Sequence, residues 1–159
     1  MRSALTYTLE DVTLKPHLWG SSDPVRPTLG VNFKTQKGRS VFALLSNNSV
    51  HAAFVCFALT SDVPQDVVEL SRFTDTTGRI AVPYTVWSNE KGAGRVIIQM
   101  LVEYVEDHDL ADRVVTLSPP TEMAHAFHIR NNALMFRRNA GTVNFEYILK
   151  GDLSEEPTL

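Results

Sequence analysis

The first half of the chain has apolar runs with the length and composition of β-strands. Residues 40–45 and 52–59 are rich in β-favouring side chains, and the paired asparagines of the intervening SNNSVH suit a tight reversal. These runs predict an antiparallel hairpin. Upstream, the loose alternation of residues 5–14 predicts an edge strand, and the sequence WGSSDPVRP at residues 19–27 predicts a loop.

The segment after the hairpin predicts a short helix. Ser61 or Asp62 can serve as its N-cap, and Pro64 fits the first turn because the amide that proline lacks has no partner there. The predicted helix runs to about Leu70.

The next apolar run, residues 80–86, predicts a strand that is interrupted at Pro83. Proline cannot donate to a β-ladder, so this position indicates a bulge or an unpaired edge. A strand held away from its neighbour leaves space between the two. We therefore expect a cleft beside Pro83.

A glycine turn, SNEKGAG at residues 88–94, connects this strand to a helix whose apolar side chains recur at helical spacing as far as Asp109. Amide groups at the start of such a helix point outward together and suit an anion such as a pyrophosphate. Glycines needed only for a tight turn are the alternative, and the spacing matches neither a Walker loop nor a Rossmann fingerprint. The residues expected to bind the anion are Lys91, Gly92, Ala93, Gly94 and Arg95.

The last third predicts a strand, a helix and a closing strand. Residues 113–117 form a short apolar strand, and Thr121 suits the N-cap of a helix that reaches Arg138, with Phe127 and Leu134 on its buried face. Residues 142–149 alternate as the final strand. This order predicts an α/β (α+β) fold, a mixed central sheet flanked by helices, in one domain over residues 1–159, with 1–24 and 151–159 peripheral.

Composition narrows the classes of partner. The 159 residues are 43% hydrophobic and 21% charged, enough apolar material for one core. A formal charge of −3 with scattered lysines and arginines argues against nucleic acid. The single cysteine, Cys56, excludes an internal disulfide and is expected to be a core residue. With no leader sequence and no run long enough for a bilayer, we expect a cytoplasmic protein without a membrane partner.

Histidines suggest a metal site only weakly. Glu122, His125 and His128 recur at intervals of three, but that spacing drifts around a helix, and no further cysteine or histidine cluster completes a coordination shell. We expect no metal, and we expect His125 to be solvated.

Several collinear motifs resemble the malonyl-CoA decarboxylase family. FHIRNNALMFRRN at residues 127–139 is similar to that family's FHLRNGAxLWRxN, and TVNFEY at 142–147 is similar to MVNYRY. VVTLSP at 114–119 resembles TLSPIP, and AVPYTVWSNEKGAG at 81–94 resembles AVFYSISSTQxGLxG. The similarity covers residues 24–149 in order.

The resemblance implies the acyl-CoA-binding fold of the GNAT superfamily, used for decarboxylation. It places the family's catalytic histidine at His128 and its catalytic serine at Ser88. The family's N-terminal helical region and two of its inserts have no counterpart, Asn132 replaces a glycine and Glu146 replaces an arginine. These departures affect the expected acyl group and the contacts between subunits.

Loss of carbon dioxide from a malonyl thioester leaves a thioester enolate, which needs stabilisation of its oxygen and a proton at carbon. We expect His128 to deliver that proton and Ser88 to orient the malonyl carboxylate or the thioester carbonyl. The alternatives for these residues are a core-lining histidine and a serine that caps the helix. No cofactor is expected beyond the CoA moiety of the small-molecule substrate, and a homo-oligomer is allowed.

Two other functions compete with the decarboxylase. The first is a GNAT-type N-acyltransferase, which the resemblance disfavours because such enzymes offer a tyrosine acid late in the second helix, where this chain has Phe136 and Arg137. The second is a non-catalytic acyl-CoA-binding module, in which both proposed catalytic residues are structural.

Overall fold

The computed structural model describes residues 6–153, which form seven strands, five α-helices and a 3-10 helix at Pro16–Leu18. The strands are β1 (Tyr7–Asp11), β2 (Arg39–Ser46), β3 (His51–Thr60), β4 (Ile80–Ser88), β5 (Arg113–Val115), β6 (Leu134–Arg138) and β7 (Val143–Tyr147). The helices are α1 (Val31–Lys34), α2 (Val67–Phe73), α3 (Ala93–Asp107), α4 (Glu122–Arg130) and α5 (Lys150–Leu153).

All seven strands belong to one mixed sheet in the order β1-β2-β3-β4-β5-β7-β6. Every neighbouring pair is antiparallel except β4 and β5, which run parallel. The expected α/β class, with a mixed central sheet flanked by helices in a single domain, is confirmed. The predicted hairpin is β2 and β3, and the predicted edge strand is β1.

The sheet opens between β4 and β5. Strand pairing there is limited to Ile80 with Arg113 and Ala81 with Val114, followed by one hydrogen bond of 3.0 Å from the Leu117 amide to the Pro83 carbonyl. Beyond Pro83, within the described residues, no strand pairs with β4 on this side. The predicted cleft beside Pro83 is therefore present.

A β-bulge at the same place changes which side chains of β4 share a face. Pro83 pairs with Phe57 of β3 and Thr85 pairs with Cys56, so Tyr84 is the extra residue. The bulge predicted at Pro83 is confirmed. Because of it, Tyr84 packs into the same apolar cluster as Cys56 and Trp87.

Each face of the sheet has its own apolar cluster. Helix α3 buries its apolar stripe, including Ile97, Leu101 and Val105, against β2, β3 and β4. The opposite face packs around Trp19 and around Leu70 of α2. Cys56 lies in this second cluster without any exposed surface, and burial raises the pKa of its thiol, which agrees with its expected structural role.

Residues 1–24 were expected to be peripheral, but in their described part, residues 6–24, Trp19 and Asp23 are buried in the domain. The Trp19 indole is 1% exposed and its N–H donates to the Val12 carbonyl over 2.8 Å. Asp23 forms a buried ion pair with Lys34, with 2.8 Å between Oδ2 and Nζ, and both Asp23 carboxylate oxygens accept from the Thr85 hydroxyl. The hydrogen bonds from Thr85 connect this ion pair, and with it the loop before α1, to the bulged part of β4.

The helix predicted from Thr121 to Arg138 is wrong in its second half. Thr121 is the N-cap and accepts from the Ala124 amide, but α4 ends at Arg130. Asn132 then adopts a left-handed conformation with φ of 73°, which asparagine tolerates better than most residues and which stops a helix. Leu134, expected on a buried helix face, is 60% exposed in β6.

The start of α2 also differs from the prediction. Its N-cap is Asp66, whose carboxylate accepts from the Glu69 amide, rather than Ser61 or Asp62. The Glu69 carboxylate in turn accepts from the Gln65 amide. This reciprocal capping arrangement starts the helix after Pro64. Pro64 instead belongs to the preceding loop, where its carbonyl accepts a hydrogen bond from the Asn144 side chain of β7.

Candidate active site

A cavity of about 310 Å³ occupies the opening between β4 and β5. Its wall consists of the second half of β4, the segment after β5, the first turn of α3, one side of α4 from its first turn to its last, and one residue of the N-terminal loop. Most of this wall is apolar. The polar side chains among its lining residues are Tyr84, Thr85, Trp87, Ser88, Ser118, Thr121 and His128.

Ser88 and His128, the two predicted catalytic residues, both line this cavity. Ser88 is the exposed last residue of β4, and His128 is a buried residue in the last turn of α4. Gly94 separates the two elements. A Cβ atom on Gly94 would lie 3.4 Å from the Phe127 ring and 3.8 Å from the Ser88 hydroxyl, so α3 and α4 meet at this glycine.

The predicted anion-binding residues divide into two groups. Ala93 and Gly94 are buried, and Gly94 lines the cavity, whereas Lys91, Gly92 and Arg95 are exposed outside it. Gly92 has a left-handed φ of 84° at the N-cap of α3, so the turn itself requires this glycine. Within the described residues, the amides of Gly94 and Arg95 have no hydrogen-bond acceptor, which leaves donors at the cavity edge.

Both ring nitrogens of His128 are hydrogen-bonded to hydroxyl groups. Nδ1 lies 2.7 Å from the Tyr147 hydroxyl and Nε2 lies 3.1 Å from the Ser118 hydroxyl. The Ser118 hydroxyl is also 2.8 Å from that of Thr116, which accepts from the Phe145 amide at 3.0 Å. The result is a continuous chain from Tyr147 through His128 and Ser118 to Thr116.

Burial sets the protonation state of this chain. His128 is 7% exposed and stacks on the Phe145 ring, and burial lowers the pKa of its imidazole from 6.5 to about 4. Burial raises the pKa of the Tyr147 phenol. At neutral pH the imidazole is therefore neutral and the phenol keeps its proton. A neutral imidazole can take a proton at one nitrogen while it gives one from the other.

Sequence reasoning did not assign roles to Thr116, Ser118 and Tyr147. All three lie inside VVTLSP and TVNFEY, two of the motifs that carry the family resemblance, and this is the signal in the sequence that could have indicated them. Their convergence on His128 depends on the pairing of β5 with β7, which no local pattern shows.

His125 does not line the main cavity. It is exposed, as expected, and contributes with Glu122 and Arg138 to a second cavity of about 270 Å³ on the other side of Thr121. The two cavities share Pro119 and Thr121 in their walls. Across residues 6–153 there is no group of three metal-ligating side chains close enough to hold an ion.

Arg26 closes part of the opening from the N-terminal side. Its guanidinium donates to the Tyr84 carbonyl over 2.7 Å and to the Leu117 carbonyl over 2.9 Å, and so bridges the two separating segments. The neighbouring Val25 lines the cavity. The loop 19–27 thus forms one wall of the site.

Solved structures with similar folds include two malonyl-CoA decarboxylases. The enzyme from Agrobacterium vitis aligns with a TM-score of 0.54 and 21% identity, over 72% of this chain and 33% of its own. The enzyme from Cupriavidus metallidurans aligns with a TM-score of 0.63 and 14% identity, over 93% of this chain and 63% of its own. This chain therefore spans between a third and two thirds of the length of these decarboxylases.

A third structure, the loading GNATL domain of CurA from Lyngbya majuscula, aligns with a TM-score of 0.65 and 12% identity over 92% of this chain and 99% of its own. The matching structures also include acetyltransferases solved with acetyl-CoA or coenzyme A. The chain has a GNAT-like fold. No protein-family model and no curated protein matches the sequence.

No described helix combines the length and the apolar character needed to span a membrane.

Proposed function

We propose that this protein decarboxylates malonyl-CoA or a related malonyl thioester to acetyl-CoA and carbon dioxide. The observation that carries the proposal is the convergence of Ser88, Gly94 and His128 on one largely apolar cavity where the sheet opens. In the sequence these residues belong to two motifs that resemble the decarboxylase family, with Ser88 and Gly94 in one and His128 in the other.

The cavity suits this reaction for a physical reason. A malonyl carboxylate loses carbon dioxide more readily once it leaves water, and an apolar wall reduces its solvation. The negative charge then moves to the thioester oxygen, where a nearby hydrogen-bond donor stabilises it. Ser88, at the mouth of the cavity, is our choice for the hydroxyl that orients the acyl end.

The CoA moiety would extend from the cavity past the start of α3. The amides of Gly94 and Arg95 point away from the helix, and the positive end of the helix dipole favours a phosphate group there. Lys91 and Arg95, both exposed beside this turn, add positive charge. No further cofactor is needed, because the thioester itself stabilises the carbanion.

His128 makes a proton available for the enolate carbon. The neutral imidazole holds one N–H and is bonded to the protonated Tyr147 phenol, so a proton that leaves Nε2 can be replaced at Nδ1. Imidazolium is scarce at neutral pH for a group with this pKa, so we infer transfer through the neutral ring.

An N-acyltransferase is the second candidate, and one observation favours it. The second cavity, with the exposed Glu122 and His125, adjoins the first and offers space for an amine acceptor. Phe136 and Arg137 lie in β6 and not in a helix, so the lack of a tyrosine at these positions does not disfavour an acyltransferase. A tyrosine, Tyr147, does lie beside the cavity-lining His128.

One assay separates the candidates. The protein is incubated with malonyl-CoA, with methylmalonyl-CoA, and with acetyl-CoA plus candidate amines, and the products are identified by mass spectrometry. Acetyl-CoA formed from malonyl-CoA without an amine supports decarboxylation, and acylated amine supports the second candidate. If calorimetry detects CoA binding but no substrate is turned over, the protein is a non-catalytic acyl-CoA-binding module. A cytoplasmic location and self-association remain predictions for fractionation and light scattering.

A further inference from the structure

We propose that the hydroxyl group of Ser118 is the catalytic residue that hands the proton to the substrate carbon, with His128 and Tyr147 behind it. This inference rests on the proposed decarboxylase function and names a residue that the family resemblance did not assign. It depends on which atoms of the hydrogen-bonded chain can face the cavity.

The imidazole of His128 has no free nitrogen to offer. Nδ1 is occupied by the Tyr147 hydroxyl at 2.7 Å and Nε2 by the Ser118 hydroxyl at 3.1 Å. A substrate carbon in the cavity therefore meets the ring only through its carbon atoms. Ser118 lines the same cavity and is bonded directly to Nε2.

The other hydroxyls of the cavity wall are less suited to this transfer. The Tyr84 hydroxyl has no hydrogen-bond partner among the described residues, so no group relays a proton to it. The Thr85 hydroxyl is held by the Asp23 carboxylate, and the Thr121 hydroxyl accepts the Ala124 amide at the start of α4. Ser88 lies at the exposed end of β4 and has no bond to the imidazole. Of these hydroxyl groups, only that of Ser118 is connected to a proton source.

The number of polar hydrogens in this hydrogen-bonded chain indicates which group has a hydrogen to donate to the substrate. Four hydrogen bonds link Tyr147, His128, Ser118, Thr116 and the Phe145 amide. With a neutral imidazole these groups carry five hydrogens, so one hydrogen lies outside the four bonds. When Tyr147 donates to Nδ1 and Thr116 donates to Ser118, the spare hydrogen is the hydroxyl hydrogen of Ser118.

Placing the spare hydrogen on Ser118 also costs the least folding free energy. A buried polar hydrogen without an acceptor destabilises the protein. Tyr147 and Thr116 are buried and do not line the cavity, so a spare hydrogen on either would remain unsatisfied. On Ser118 it points toward space that water or a ligand can fill.

The transfer balances without an imidazolium ion. Cleavage of the bond between the α-carbon and the carboxylate releases carbon dioxide and leaves the electron pair in the enolate. The α-carbon then takes the Ser118 hydroxyl hydrogen, Ser118 takes the hydrogen from Nε2, and Nδ1 takes the Tyr147 proton. After the product leaves, water in the cavity returns a proton to Ser118, and the hydrogens shift back along the chain until the Tyr147 phenol is restored.

The test compares the parent with Ser118→Ala and Ser118→Cys. We expect Ser118→Ala to lower the rate of acetyl-CoA formation from malonyl-CoA by about 100-fold or more, the range for loss of a positioned proton donor. Ser118→Cys, which keeps a donor hydrogen, should recover part of the rate. Ser46→Ala is the matched control, because Ser46 is equally buried, at 4% exposure, in the β2–β3 hairpin.

A second measurement does not depend on decarboxylation. The same proton path run backwards should exchange the α-hydrogens of acetyl-CoA for deuterium in deuterated water, measured by mass spectrometry. We expect exchange in the parent and in Ser46→Ala, and its loss in Ser118→Ala. Circular dichroism and calorimetric titration with CoA check that each variant is folded and binds.

The outcomes separate this inference from the proposed function. Full turnover and full exchange in a folded Ser118→Ala protein overturn the role of Ser118 and leave the decarboxylase intact. Exchange that depends on Ser118, without turnover of malonyl-CoA by the parent, supports the proton path and removes the decarboxylase. Absence of exchange in a parent that binds acetyl-CoA overturns the proton path.

Discussion

Gly94 lies against the ring of Phe127, with 3.4 Å between the position of a Cβ atom on the glycine and the ring edge. This contact joins the start of α3 to α4 and brings the predicted phosphate-binding turn next to the predicted catalytic histidine. Any side chain at position 94 must therefore turn into the cavity or push the two helices apart.

Replacement of Gly94 by Glu should greatly weaken CoA binding. The added carboxylate would stand beside the open amides at the start of α3 and repel a phosphate group. Calorimetric titration with CoA measures the effect. Gly141→Glu is the control, because it adds the same charge at a position where a Cβ would meet nothing within 4 Å. Unchanged affinity in a folded Gly94→Glu protein would remove the pyrophosphate site from α3.

Replacement of Ser88 by Ala should lower turnover of malonyl-CoA and leave the affinity for CoA nearly intact. The hydroxyl lies at the acyl end of the site in our proposal, so only the acyl group loses a contact. Steady-state kinetics and titration of CoA are measured on the same preparation. An equal loss of turnover and of CoA affinity would instead assign Ser88 to the turn before α3.

Replacement of His128 by Ala should reduce decarboxylation by roughly two to four orders of magnitude, the range for removal of a positioned acid or base. His125→Ala should stay within a few-fold of the parent, because His125 is exposed outside the main cavity. The initial rates of acetyl-CoA formation by the parent and the two variants measure these effects. Equal losses in the two variants would contradict the site as drawn here.

The stability of the protein should depend on pH through His128. The folded pKa of about 4 lies below the ordinary 6.5, so the unfolded chain binds this proton more tightly. The associated stability is fully present above about pH 6.5 and is lost as the pH falls toward 4, on the order of 3 kcal/mol in all. Urea unfolding between pH 4 and 8 measures it. An NMR titration that finds His128 protonating near pH 6.5 would rule this out.

Breaking the Asp23–Lys34 ion pair should be far more damaging than breaking an exposed one. Burial raises the pKa of Asp23, but the hydrogen bonds from Lys34 and from the Arg26 and Val25 amides outweigh it and lower the pKa overall. Asp23→Asn leaves Lys34 buried without its counter-charge, at a cost of about 3–5 kcal/mol in the free energy of unfolding.

The pair between Lys15 and Glu10, whose side chains are 53% and 30% exposed, provides the comparison. Glu10→Gln should change the free energy of unfolding by at most about 1 kcal/mol. Because the pKa of Asp23 is lowered, its contribution is present above its ordinary pKa and disappears only as the pH falls below that value. Similar unfolding midpoints for Asp23→Asn and Glu10→Gln would contradict this account.

The sequence by itself determined the hairpin of β2 and β3, the bulge at Pro83, the turn into α3 and the mixed α/β class. Each of these depends on neighbours in the chain: a run of β-favouring apolar residues, a missing amide, or a glycine that can adopt a left-handed φ. Ser88 and His128 were predicted from the family resemblance, because they lie inside the motifs that carry it, and their position in one cavity agrees with that prediction.

The local sequence pattern could not predict the secondary structure where the same residues are compatible with both a helix and another structure. The run LMFRR after Asn132 has enough apolar character for a helix, and only its pairing with β7 makes it a strand. The predicted N-cap of α2, Ser61 or Asp62, was wrong for a similar reason. Pro64 lies in a loop, where its carbonyl accepts a hydrogen bond from Asn144 of β7, and not in the first turn of the helix.

Only the tertiary structure decided what surrounds His128. Ser118 is bonded to it from the segment after β5 and Tyr147 from β7, and these strands become neighbours through antiparallel pairing across the sheet. The lowered pKa of the imidazole follows from that burial. Strand order and burial are properties of the assembled sheet, because they depend on contacts between residues far apart in the chain.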